Sequence, residues 1–97
     1  MLARVVTFEG VDAERMEAMA RDVERGEQPE DIPATEVVIL HDPDGQRAMA
    51  VLFFESDDDY RRGDEVLNAM PAEETPGRRT SVTKYRVAVR MTPTAAR

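Results

Sequence analysis

The sequence predicts an α+β domain: one four-stranded antiparallel sheet with two helices on a single face, in the order β-α-β-β-α-β. Three observations lead there. Four short runs have strand character, Leu2–Phe8, Thr35–Asp42, Arg47–Phe54 and Ser81–Met91. Two runs with apolar residues at helical spacing sit between the first and second and between the third and fourth. The middle strand runs are apolar on both faces, whereas two helices can cover only one face of such a sheet.

The first run carries Val5, Val6 and Phe8 around Thr7, and Glu9-Gly10 ends it. Asp12 is a helix N-cap, and Glu14 sits in the first turn, where the helix dipole favours an anion. Met16, Met19, Ala20 and Val23 then recur at i, i+3, i+4 and i+7 as one amphipathic face. Gly26 is the expected stop, and the polar stretch with Pro29 and Pro33 the following loop.

The second run places Val37, Ile39 and His41 on one face and Val38 and Leu40 on the other. Asp42-Pro43-Asp44-Gly45 is a tight turn, with Pro preset for its second position and Gly expected at positive φ. The third run shows Met49, Val51 and Phe53 on one face and Ala48, Ala50, Leu52 and Phe54 on the other, the pattern of a central strand. Ser56 with Asp59 makes a cap for the second helix. Tyr60, Gly63, Leu67 and Met70 form its inner stripe, Val66 flanks it, and Pro71 follows. A helix-interior glycine costs about 1 kcal/mol relative to alanine, so Gly63 predicts close approach of helix to sheet. After a loop with Pro76-Gly77, the last run sets Thr83, Tyr85, Val87 and Val89 against Lys84, Arg86 and Arg90, which suits an edge strand. The element order is the split βαβ, or ferredoxin-like, arrangement, and right-handed crossovers put the first and third strands in the centre.

With 97 residues, 41% hydrophobic and 34% charged, the chain is expected to form one globular domain over residues 1–92, with 93–97 as a C-terminal tail. Its longest apolar run, Ala48–Phe54, is far short of the roughly 20 residues of a membrane span, and no signal peptide is visible. The expected location is cytoplasmic, with no membrane partner. The net charge of −7 repels phosphate backbones, so no nucleic-acid partner is expected. The absence of cysteine excludes thiolate and zinc–sulfur chemistry.

The surplus apolar sheet face needs a cover, and a second copy of the chain is the expected partner. Four strands give a flat footprint of a few hundred Å² by strand spacing and length, and its larger accessible area is at or beyond the largest apolar patch a monomer usually leaves open. The pattern Ala3-Arg4-Val5-Val6-Thr7-Phe8-Glu9-Gly10, then Phe53-Phe54-Glu55-Ser56 with Asp59-Tyr60, then Val82–Val89, resembles the dimeric α/β-barrel superfamily, and within it the small antibiotic-biosynthesis-monooxygenase-like domains. The resemblance spans nearly the whole chain and implies a homodimer with two sheets face to face. It also implies a possible activity, a cofactor-independent monooxygenase or isomerase acting on a small hydrophobic or aromatic compound. Such relatives use Asn, Trp and Tyr around their substrate, and this chain has no Trp and one Asn. Haem-degrading relatives use a histidine on a helix, whereas the sole histidine here falls in a strand.

The candidate catalytic residues are therefore few: His41, the one group titrating near neutrality, with Tyr85 and Asn68. Against a catalytic His41 stands the plainer reading of a strand-end histidine shielded by its turn. Tyr85, Phe53, Met49 and Met16 are candidate ligand-binding residues for a pocket between helices and sheet, or else ordinary core. Asp42, Asp44 and Gly45 begin like a calcium loop but run straight into a strand, and Asp57, Asp58 and Asp59 fit the helix dipole, so no metal or other cofactor is expected. Arg78, Arg79, Lys84 and Arg86, with Arg61 and Arg62, fit a solvated face or rim ion pairs better than an anion site. The function expected from all this is a small homodimeric binding or accessory module, with the monooxygenase or isomerase as the alternative.

Overall fold

The computed structural model describes residues 1–25, 32–70 and 77–93, apart from the side chain of Val23. Its elements are β1 (Leu2–Glu9), α1 (Ala13–Glu24), β2 (Glu36–Asp42), β3 (Arg47–Phe54), α2 (Asp57–Asn68) and β4 (Arg78–Arg86). All pairings are antiparallel in one sheet of order β2-β3-β1-β4. This is the ferredoxin-like α+β fold, with β1 and β3 central as the crossover rule requires. The expected stops Gly26, Pro29, Pro71 and Pro76 and the end of the expected tail, 94–97, lie outside the described residues.

Alternation along the strands sorts the side chains. Val6, Phe8, Ala48, Ala50, Leu52 and Phe54 are buried on the helix face with Val11 and Tyr60, and Met16, Ile32, Ile39 and Leu67 pack against them. Phe54 and Tyr60 meet edge to face, 5.4 Å between centroids. Asp12 Oδ1 accepts from the Arg15 amide (2.8 Å) and caps α1. Ser56 Oγ accepts from the Asp59 amide (3.1 Å) and caps α2. The three aspartates of that first turn each meet a cation: Asp57 with Lys84, Asp58 with Arg61, Asp59 with Arg62.

Gly63 is where α2 comes closest to the sheet. A Cβ there would lie 2.5 Å from Cε1 and 2.7 Å from Cζ of Phe54. Gly63→Ala is therefore expected to destabilise by about 1–3 kcal/mol, overpacking outweighing the gain of about 1 kcal/mol in helix propensity. Urea unfolding checks it; an unchanged or raised midpoint would show that the ring moves aside freely.

Two expectations are corrected. The residue at positive φ in the hairpin is Gln46 (φ 54°), not Gly45. The turn runs one residue further, closing with the Gln46 amide on the Pro43 carbonyl (3.4 Å), and Gln46 itself, its last residue, takes the left-handed conformation. At Gly45 an added Cβ would meet only the movable ends of the exposed Asp42 and Arg47 side chains. The last strand begins at Arg78 and ends at Arg86, not Ser81–Met91. Its ladder with β1 contains a bulge at Thr80, so Thr7 faces Ser81 while Phe8 faces Arg79. The ladder ends at Leu2↔Arg86, and the chain leaves the edge after the Val87 amide bonds the Met1 carbonyl (3.0 Å).

From there residues 87–93 form a strap. Arg90 lies over the Phe53 ring, 5.3 Å from its centroid, and ion-pairs with Glu36 on β2. Its Nη1 also reaches the Met1 sulfur (3.6 Å). The strap thus crosses the helix-free face at one end of the sheet.

Candidate functional site: the open face of the sheet

The face opposite the helices carries Val5 and Thr7 of β1, Met49, Val51 and Phe53 of β3, Val38 and Leu40 of β2, and Thr83 and Tyr85 of β4. Val5, Val38, Met49, Val51 and Phe53 are half-buried by their neighbours, whereas Leu40 (52%) and Tyr85 (54%) are exposed. Register arranges these residues in rows across the strands. Glu36, Phe53, Ala3 and Tyr85 form the row beneath the strap; Leu40, Met49, Thr7 and Ser81 form a row four residues further along.

Around that second row lies an open cleft of about 540 Å³. Leu40 and Met49 give it apolar walls, Thr7 and Thr80 give it hydroxyls, and Glu9, Asp42 and Arg47 stand at its far end. Thr7 Oγ1 lies 2.6 Å from both Thr80 Oγ1 and Ser81 Oγ, a chain of hydroxyls that the bulge creates by bringing two β4 residues to one β1 residue. The charges at the rim are matched among themselves. Arg47 Nη2 donates to Asp42 Oδ2 (2.8 Å), and Arg78 pairs with Glu9 (3.7 Å). The Arg47 guanidinium, followed by the Gly45 amide, holds the Asp42 carboxyl below its ordinary value. The cleft consequently presents an apolar body with a neutral polar margin.

Of the sequence-derived candidates, Met49 and His41 border this cleft, but they do not converge on it with the others. Tyr85, Phe53 and Met49 lie on the open face, but Met16 lies under α1 on the other side of the sheet. His41 also points to the helix side, half-buried, and its Nε2 donates to the Val11 carbonyl (3.1 Å). It is held by the loop leading into α1 rather than by the hairpin turn. Asn68 sits at the end of α2, where Oδ1 accepts from Arg4 Nη2 (3.0 Å) and Arg79 Nη1 (2.8 Å) and Nδ2 donates to Asp64 (3.2 Å). His41, Asn68 and Tyr85 are therefore in three separate surroundings.

One group escaped the sequence reading. Arg4, with a side chain 2% exposed, sits in the middle of the helix face and donates from Nε to Asp64 Oδ1 (2.8 Å). Its signal was there to find. Leu2, Val6 and Phe8 share its face, and a lone cation in such a row demands a partner, which Asp64 and Asn68 supply at i and i+4 of α2.

Tyr60 has a pKa raised above its ordinary value of 10.0, first by burial and next by the nearby Asp64 charge. Lys84 Nζ, 4.9 Å from the ring centroid, pulls the other way. A raised folded-state pKa means the folded form holds this proton more tightly. Its contribution is complete below about pH 10 and is lost as pH rises from there through the folded value. In a Tyr85→Phe variant, phenolate absorbance reports Tyr60 alone, and its midpoint is expected above 10.0. A midpoint at or below that value would show the ring to be wet.

No protein-family profile, curated protein or solved structure matches the chain. Among the described residues no helix is long and apolar enough to cross a membrane.

Proposed function

We propose that the chain is a small homodimeric module of the dimeric α/β-barrel type, similar to the antibiotic-biosynthesis-monooxygenase-like domains, with a binding or accessory role. The observation that carries this reading is the open face. Both central strands put apolar side chains on it, Val5 on β1 and Met49, Val51 and Phe53 on β3, and the flanking strands add Val38, Leu40 and Tyr85. No selection for solubility favours such a row on a face left to water, whereas aligned packing of two sheets about 10 Å apart would bury it. The separation of His41, Asn68 and Tyr85 favours a binding role over an oxygenase or isomerase, which needs polar groups converging on one substrate. Light scattering at micromolar concentration is expected to give twice the chain mass. A stable monomer would remove the proposal.

A further inference from the structure

The strap and the cleft lie on the same face at opposite ends of the strands. The strap passes over the row of Phe53, and the cleft surrounds the row of Met49, four residues or roughly 13 Å away. While Arg90 turns down onto Phe53 and Glu36, Val89 on one side of it is 83% exposed and Met91 on the other 75%. One end of the face therefore bears an apolar projection and the other an apolar hollow.

We infer that Val89 and Met91 of one protomer seat in the cleft of its partner, so that each cleft is completed only by the second copy. This inference rests on the homodimer proposed above and specifies its geometry. Two sheets packed face to face are related by a two-fold axis lying between them. An axis running along the strands sets strap against strap and cleft against cleft. An axis running across the strands sets each strap over the other protomer's cleft, twice, and keeps β3 opposite β3. Only the second arrangement fills both hollows and leaves the projections without conflict.

Area points the same way. Strands of seven to nine residues in a four-stranded sheet give a flat footprint of roughly 500 Å². A stable interface buries about 800 Å² on each partner. Side-chain relief raises the accessible area of the face above this footprint, and the exposed Val89 and Met91 of the strap add further apolar surface to it. The cleft also suits these occupants: its walls are Leu40 and Met49, and its rim charges are already matched by Arg47 with Asp42 and Arg78 with Glu9.

The chain contains no cysteine, so introduced thiols report without background. Val89→Cys and Leu40→Cys are made as separate single variants, mixed, allowed to exchange subunits and oxidised. The expected result is a disulfide-linked dimer from the mixture that neither variant forms alone. Linkage of Val89→Cys to itself would indicate the other axis and overturn the inference, as would a dimer by light scattering that yields no mixed disulfide. Both of these leave the homodimer standing. A monomer in light scattering of the unmodified chain overturns both. As a second measurement, Val89→Asp with Met91→Asp is expected to raise the dimer dissociation constant at least tenfold with an unchanged far-UV spectrum; an unchanged constant overturns the inference.

Discussion

Asp64→Ala is expected to lower the unfolding free energy by about 3 kcal/mol, whereas Arg4→Met at the other end of the same pair should cost less than about 1 kcal/mol. The asymmetry follows from where the two charges sit. The Arg4 side chain is 2% exposed, and that of Asp64 is 34% exposed. Removing the carboxylate leaves a guanidinium in the interior with only the Asn68 oxygen facing it, and Asn68 is shared with Arg79. Removing the guanidinium leaves a carboxylate that water reaches, still bonded by the Asn68 amide, and a methionine that packs among Leu2, Val6 and Leu52. The penalty is that of a stranded buried ion rather than the strength of the bond itself. In a domain of this length the larger loss corresponds to a melting-temperature drop of roughly 12–24 °C. Both variants need comparison with the parent at one protein concentration, because a dimer's apparent stability rises with concentration. Equal losses in the two variants would mean that the pair contributes net attraction and that the asymmetry argument fails.

That network also shows why the fold was legible while the site was only half so. The strands, both helix caps and the assignment of residues to faces follow from alternation and spacing, which are local properties of the chain. Val37, Ile39 and His41 share the helix face, and Val38 and Leu40 the open one, as their alternation requires. What alternation does not contain is the length of the partner. Val87 and Val89 continue the two-residue rhythm of β4, yet the ladder with β1 ends at Leu2↔Arg86, and the strap begins there. The Thr80 bulge likewise depends on two strands at once and joins Thr80 and Ser81 to Thr7. Met16 and Met49 are equally apolar in sequence. Only the layering of helices on one side separates them into core and open face. A pocket composed from residue type alone therefore mixed the two sides of the sheet.

Val51→Asp is the variant expected to separate folding from assembly most sharply. Val51 sits midway along β3, between Val5 on β1 and Val38 on β2, at the centre of the open face. In a single protomer the carboxylate emerges into water, and the sheet beneath keeps its ladder, so the circular dichroism spectrum should be that of the parent. In the proposed dimer the same carboxylate is buried against a second sheet. An axis crossing the strands near their midpoints brings the two new charges toward one another. Each substitution counts twice, and an unpaired buried carboxylate costs several kcal/mol. A loss of about 4 kcal/mol raises the dissociation constant roughly a thousandfold. Sedimentation velocity at micromolar concentration should then show a folded monomer. Glu17→Lys on the exposed side of α1 makes the control, since it changes charge without touching the open face and should leave the dimer intact. If Val51→Asp sediments as the parent dimer does, the interface lies elsewhere and the apolar face must be explained by another partner. If Glu17→Lys dissociates it as well, net charge rather than sheet packing governs assembly, and the strap-in-cleft geometry loses its foundation.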